Sequence, residues 1–349
     1  MQSGLRLVIK TVGLTNINTQ RKKVDGAIIV KKLLSILLAF ALTLSIGFVL
    51  TGCEQSSALA YELQDDGTYH VTELLEETNK VIVPANYQGK TVSGIADSAF
   101  TSNKNIVEVV LPDSVTYIGG SAFRRCSNLA TINLSKITKL GSNAFSETKL
   151  TNVKLDSVIT VGNSAFKDCR SLQKVSLSEY TTTIEKSAFS GCIVLTQANI
   201  GKTKSIGDSA FNGCGNLVEI NLASVRYLNE NCFMGCVNLT SVNLKNVIEV
   251  TKGVFDGCNK LISISVGENA QLLHKSAFYG ISPYVEITLL NKTGWARWIQ
   301  DNNNHNKHWS VKDYTEQELS TPEGVREAIV PGSWNSQEYL KKGDYAWPK

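Results

Sequence analysis

Apolar and polar positions alternate in short bursts along most of this chain, as in Leu217-Val218-Glu219-Ile220-Asn221-Leu222 and Leu239-Thr240-Ser241-Val242-Asn243-Leu244. A period of two predicts a short strand that turns Ile or Val and Leu inward and polar residues outward. Before each burst comes a second apolar cluster, centred on Phe100, Phe123, Phe145, Phe166, Phe189, Phe211, Phe233, Phe255 or Phe278. Successive phenylalanines stand 21 to 23 residues apart. Five positions before each lies an aliphatic residue, from Ile95 to Leu273. Ala precedes seven of the nine rings, and Cys232 and Val254 take that place in the other two. Written once, the unit is L-x-x-V-x-L-x-x-V-x-x-I-G-x-x-A-F-x-x-C-x-x-L.

A fixed period of this size marks stacked units, none of which can bury its apolar face alone. Strands stacked about 4.8 Å apart would form a parallel ladder, and nine rungs would span about 40 Å. The S-A-F-x-G-C piece is too short for a stable free helix and is expected to form a turn or one helical turn on the opposite side. The expected fold class is therefore α/β: a solenoid of nine repeats with the ladder on its concave side and turns or helical turns on its convex side.

The unit closely resembles the BspA-type leucine-rich repeat, whose pattern is L-x-x-V-x-I-P-x-x-V-x-x-I-G-x-x-A-F-x-x-C. The likeness runs from Val81 to Leu290. Val83-Pro84-Ala85 with Tyr87-Gln88-Gly89-Lys90-Thr91-Val92 looks like the first repeat of that family. Thr148, Asn103 and Ile281 depart from the Cys position, and Pro after the strand survives only as Pro84 and Pro112. The resemblance implies a leucine-rich repeat fold and adhesion to host matrix proteins or to other bacteria.

Lys31-Lys32, an apolar run over residues 33–49 and the exit Leu50-Thr51-Gly52-Cys53 have the order of a secretory signal peptide rather than a membrane span. The L-T-G-C ending resembles the lipobox of bacterial lipoproteins. That resemblance makes Cys53 the diacylated residue and the mature N-terminus; two acyl chains hold a protein stably where one is marginal. The expected organisation is a leader over 1–52 with its signal peptide at about 30–52, a cap over 53–80, the repeats over 81–290, and a Trp-rich cap and tail over 291–349. Translation is expected to start near Val30. Residues 1–52 carry seven Lys and Arg against one acidic residue, so removing them takes the net charge from +4 to −2. The basic balance thus belongs to targeting, and nucleic acid is not an expected partner.

Six of the seven remaining cysteines, Cys126, Cys169, Cys192, Cys214, Cys236 and Cys258, share one position in the repeat. They are expected to form a buried column, since free Cys packs as a small hydrophobe. Adjacent-rung disulfides are the alternative. Zinc wants close ligand pairs such as C-x-x-C, which the chain lacks. Asp301, His305 and His308 have a spacing a metal could use on a helix, but Asp301-Asn302-Asn303-Asn304 reads as a loop. Neither a metal nor a cofactor is expected.

Candidate binding residues are the outward positions of the strands. They include Glu108 and Val110, Thr131 and Asn133, Asn152 and Lys154, and Lys174 and Ser176. The series continues with Gln197 and Asn199, Glu219 and Asn221, Ser241 and Asn243, and Ser263 and Ser265. This wall is polar, rich in amides and hydroxyls, and poor in aromatic anchors. Solenoids use such extended faces for binding, and weak contacts repeated over many surface copies suit adhesion. The site set is Thr131, Asn133, Asn152, Lys154, Lys174, Gln197, Asn199, Glu219, Asn221, Ser241 and Asn243.

At the N-terminal end, Tyr61-Glu62-Leu63-Gln64 and Thr68-Tyr69-His70-Val71 flank Asp65-Asp66-Gly67, the signature of a hairpin with a D-G turn. At the other end lie all five tryptophans, Trp295, Trp298, Trp309, Trp334 and Trp347. Trp295 and Trp298 are spaced for one face of a short helix closing the last rung. Thr321-Pro322-Glu323 looks like a helix start. The chain contains no G-x-S-x-G elbow, H-E-x-x-H helix, P-loop or dinucleotide glycine motif, so an enzyme is not expected. The expected activity is binding of an extracellular macromolecule, a protein above all, by an exported chain held to the bacterial membrane by its lipid. Carbohydrate or cell-wall binding through the Trp-rich tail is the alternative.

Overall fold

A computed structural model describes residues 56–281, 285–290, 295–301, 308–313, 315, 317–320 and 337–342. Over the repeats the chain is a β-solenoid with two parallel ladders. The first is built from the V-x-L bursts, each of which turns two residues into the core and two outward. It comes in three blocks. Lys80–Ile82, Glu108–Val110 and Thr131–Ile132 form one, and Asn152–Leu155, Lys174–Leu177 and Gln197–Asn199 the second. Ser241–Leu244, Ser263–Val266 and Glu286–Leu289 form the third. The rung over residues 217–222 forms no ladder strand, although the alternation there is as clean as anywhere.

The second ladder was not anticipated. It uses the two residues that end on the aliphatic five positions before Phe. Tyr117–Ile118 and Lys139–Leu140 belong to one block of it; Thr160–Val161, Thr183–Ile184, Ser205–Ile206, Tyr227–Leu228, Glu249–Val250 and Leu272–His274 form the other. Residues of this kind are β-branched or aromatic often enough to extend, but two residues are too few to announce a strand by pattern.

The Phe column runs through the core unbroken. Neighbouring rings stack with centroids 5.0 to 5.9 Å apart and planes within 24° of each other. That spacing exceeds the strand repeat of about 4.8 Å by at most about 1 Å, so one ring per rung fills the column. Every ring is at most 3 % exposed, and the aliphatics five residues earlier are buried beside them.

The Phe segment is a chain of tight turns, which corrects the α/β expectation. In the Phe189 unit, the N–H groups of Ala188, Ser190 and Cys192 close turns onto the carbonyls of Glu185, Ser187 and Phe189. The intervening N–H groups of Ser187, Phe189 and Gly191 reach the next rung, donating to Asp208, Ala210 and Asn212 at 2.8 Å each. Alternate N–H groups can point outward along the stack only because Ser187 and Gly191 take left-handed φ values of 56° and 75°. Most units place Ser, Asn or Gly at the first of these positions, the small residues that tolerate this region best. The described residues contain only two short 3₁₀ turns, Lys275–Phe278 and Glu318–Ser320.

Both ends are finished with antiparallel strands. Leu59–Leu63 and Tyr69–Leu74 form the expected hairpin around Gly67, whose φ is 82°, and the second strand pairs with Lys90–Ile95 to join the second ladder. At the other end Gln337–Lys342 pairs antiparallel with Leu272–His274 and with Trp295–Asp301, which pairs in turn with His308–Asp313. Trp295 and Trp298 therefore lie in a strand; the helix expected there is not formed. Asp301 and His308 face each other in register across that hairpin, and His305 lies outside the described residues. So do the leader with Cys53, Trp334, Trp347 and Thr321-Pro322-Glu323.

One unit is short. Between the Phe turn and the strand, Thr148-Lys149-Leu150 occupies the place of Cys126-Ser127-Asn128-Leu129 in the unit before. Both ladders are interrupted across this unit, between Thr131–Ile132 and Asn152–Leu155 and between Lys139–Leu140 and Thr160–Val161. The turn side stays joined there. Asn143, Phe145 and Glu147 still donate to Asn163, Ala165 and Lys167 at 2.8 Å, and the Phe145 and Phe166 rings still stack at 5.4 Å.

Candidate functional site

Parallel pairing sets the outward residues in two columns. Asn152, Lys174 and Gln197 are register partners in the first, and Lys154, Ser176 and Asn199 in the second. Glu108 lies beside Thr131, Ser241 beside Ser263 and Asn243 beside Ser265. All eleven of the predicted site residues are exposed. Glu219 and Asn221 stand on the rung that lacks ladder pairing.

The amides divide into those committed to the scaffold and those left for contact. Asn133 exchanges two hydrogen bonds with the main chain of Leu111, its Nδ2 donating to the carbonyl at 2.7 Å and its Oδ1 accepting from the N–H at 2.8 Å. It thereby extends the first ladder with a side chain where the backbone strand has ended. Asn199, Asn221 and Asn243 each accept a hydrogen bond at Oδ1 from the N–H two residues on, at 3.0–3.1 Å. This is an Asx turn, which closes the strand at Asn199 and Asn243 and the unpaired rung at Asn221. The recurrence of Asn at this position has a structural cause that the sequence pattern alone had assigned to binding. Asn152 and Gln197 have no such duty to the main chain.

Six predicted residues converge on one depression of about 520 Å³: Asn133, Asn152, Lys154, Lys174, Gln197 and Asn199. They share it with Ile132, Leu134, Val153 and Val175. It lies where the first ladder is interrupted, so the short unit shapes it; the 21-residue gap between Phe145 and Phe166 was the visible sign. Lys154 Nζ is 2.9 Å from Asp156 Oδ2, an exposed pair of the kind worth under about 1 kcal/mol. Among the described residues Lys174 has no ion-pair partner. Thr131, Glu219, Asn221, Ser241 and Asn243 do not line this depression. A second, more polar hollow of about 460 Å³ is lined by Ser127, Asn128, Glu147, Thr148, Lys149, Asp168, Arg170 and Ser171.

The cysteine column is buried, and each thiol is free. Each column Sγ donates to the Phe carbonyl of an earlier rung, from Cys126 to Phe100 at 3.0 Å through Cys258 to Phe233 at 3.3 Å. Thr148 fills the slot in the short unit, donating to the Phe145 carbonyl at 2.9 Å. Burial pushes the thiols of Cys126, Cys214 and Cys258 up to about 12 and that of Cys169 to about 11. Thiolate is the nucleophile, so these groups are inert in the folded chain. Of the histidines, His274 caps the turn at Ser276, accepting from its N–H at 3.1 Å, and His70 stacks on Tyr117 with centroids 5.2 Å apart. Among the described residues no three His, Cys, Asp or Glu side chains converge as metal ligands, and no helix is long and apolar enough to cross a membrane.

At the N-terminal end Tyr61 and Tyr87 stack with centroids 3.9 Å apart, and Tyr69 meets both edge-on. Desolvation raises the Tyr61 hydroxyl to about 12, with the neighbouring Tyr87 adding to it. The rings cover one another, and the cluster seals the hairpin onto the first rungs.

A family model described as the BspA type leucine rich repeat region matches residues 93–217 and 201–294, in six copies. No curated protein matches the chain. Among solved structures, a leucine rich cell surface protein of Faecalibacterium prausnitzii A2-165 is 21 % identical, covering 71 % of this chain and 97 % of its own, with a TM-score of 0.33. A leucine rich repeat protein of T. pallidum is 24 % identical over 60 % of this chain and 82 % of its own, with a TM-score of 0.34. The pneumococcal vaccine antigen PcpA is 16 % identical over 62 % and 66 %, with a TM-score of 0.40.

Proposed function

The chain belongs to the BspA-type leucine-rich repeat family, and on that premise we propose that it is a surface-displayed scaffold that binds a protein partner through the outer face of its first ladder. What supports this is the convergence of six outward polar residues on one depression. The face offers amides, hydroxyls and two lysines over an apolar lining. It has no large aromatic anchor, so single-site affinity is modest and many copies act together. A lipid on Cys53 would supply those copies at the envelope, and the cap, repeat and tail divisions at 53–80, 81–290 and 291–349 would serve as anchor-side cap, binding body and closing end.

The test is capture of the detergent-solubilised full chain on immobilised extracellular-matrix proteins and on a glycan array. Saturable protein binding should fall by about tenfold or more on changing Lys174 and Gln197 together to Ala, a loss of about 1.4 kcal/mol. It should survive Trp295→Ala with Trp298→Ala. Glycan capture that depends on those tryptophans would instead place binding in the tail. Radiolabelled palmitate uptake lost in Cys53→Ser would support the anchor, and uptake unchanged would refute it.

A further inference from the structure

We propose that the depression at the short unit is a docking groove for an acidic, extended peptide segment. This rests on the binding role proposed for the first ladder and names the partner chemistry for that face. The charge pattern carries it. The groove presents Lys154 and Lys174 and no carboxylate, while the nearest acidic residues of the same columns, Glu108 and Glu219, belong to other blocks or rungs outside it. Lys174 has no ion-pair partner among the described residues. Lys154 is held only by Asp156 in a solvated pair that a ligand carboxylate can replace at little cost.

The groove also has an apolar component, half-buried Ile132, beside these columns. Asn152 is a register neighbour of Lys174 and Lys154 of Ser176, while Val153 and Val175 between them turn into the core. An extended chain presents side chains with a period of two, so a segment alternating acidic and aliphatic residues sets one kind against the lysines and the other against half-buried Ile132. A basic or neutral segment gains none of the charge complementarity, and the two lysines repel the first.

The probe is a fluorescein-labelled peptide alternating Glu and Val, titrated against the detergent-solubilised full chain by anisotropy, with a Lys-Val peptide of equal length as control. The Glu-Val peptide should bind, weaken steadily with added salt, and lose about tenfold or more in affinity in Lys154→Glu with Lys174→Glu. Lys167→Glu, exposed on the Phe turn side, should leave its binding unchanged. A variant carrying one Asn inserted between Thr148 and Lys149 restores the usual unit length and should weaken the peptide while retaining the circular dichroism of the parent. Equal binding of the Glu-Val and Lys-Val peptides, no binding of the Glu-Val peptide, or indifference to the lysine reversals would overturn the acidic-segment proposal. If matrix proteins are still captured through Lys174 and Gln197 in that case, the face binds but its partner chemistry is different. If that capture too is indifferent to the face, the underlying role fails with it.

Discussion

Replacing Phe189 by Ala removes a ring that is wholly buried and stacked on both sides, against Phe166 at 5.4 Å and Phe211 at 5.3 Å. On the order of 150 Å² of apolar ring surface leaves the core, worth about 4 kcal/mol at about 25 cal/mol per Å². The main chain on either side is fixed to the next rung by the Ser187, Phe189 and Gly191 N–H bonds, so the site cannot collapse and a cavity remains. We expect about 4–5 kcal/mol of destabilisation for Phe189→Ala. Phe189→Leu keeps most of the volume but loses both ring contacts, and should cost about 1–2 kcal/mol. Phe278 has one ring neighbour and a terminal place, so Phe278→Ala should cost less than Phe189→Ala. A solenoid is coupled mainly through nearest neighbours, so a central defect also weakens the link between halves. The assay is urea denaturation followed by circular dichroism: the midpoint should fall for all three, and for Phe189→Ala the slope should fall as well or the transition split. If Phe189→Ala and Phe189→Leu both cost under about 0.5 kcal/mol, the ring column does not hold the stack together and the reasoning is wrong.

Three further outcomes follow from the same structure. The thiols titrate near 9 when unfolded and up to about 12 when buried, as for Cys214, so the folded state retains protons that the unfolded state loses between those values. Stability should therefore fall as pH rises from about 9 towards 12, and fall less in Cys214→Ala; a flat profile in urea melts over that range would contradict the buried column. Asn221→Ala and Asn243→Ala each delete an Asx-turn hydrogen bond and should cost about 1 kcal/mol by denaturation, so loss of binding in such variants must be judged against their stability. A Cβ on Gly213, at φ 72°, meets nothing closer than 4.0 Å, whereas one on Gly201, at φ 58°, runs into the carbonyl of Ser178. Gly213→Ala should cost about 1 kcal/mol and Gly201→Ala clearly more, compared by thermal melts.

Much of the fold was legible because a repeat prints its core once per rung. Nine phenylalanines at one period, with an aliphatic five residues before each, define the column, the rung height and the inward face of V-x-L. The second ladder was hidden because two-residue strands have no period of their own; Tyr117–Ile118 pairs only because its neighbours stack it. The turn side was ambiguous because Ser-Ala-Phe suits a helical turn as well as linked β-turns, and the left-handed residues that decide between them include Ser and Asn as well as Gly. At the tail, two tryptophans three apart matched a helix, but pairing to Gln337–Lys342 drew that segment into a strand from far along the chain. On the site, outward residues were identified by alternation, but which of them gather depends on the short unit. The Asn column looked like a ligand-reading row because its Oδ1 bonds to the main chain are invisible without coordinates.

The central claim, that the partner lies on the first ladder's outer face, is tested most directly by photo-crosslinking. Benzoylphenylalanine placed at Gln197, on the face, should capture the bound partner, while the same group at exposed Lys167, on the Phe turn side, should not. Capture from Lys167 or from Trp309 with none from Gln197 would contradict the account.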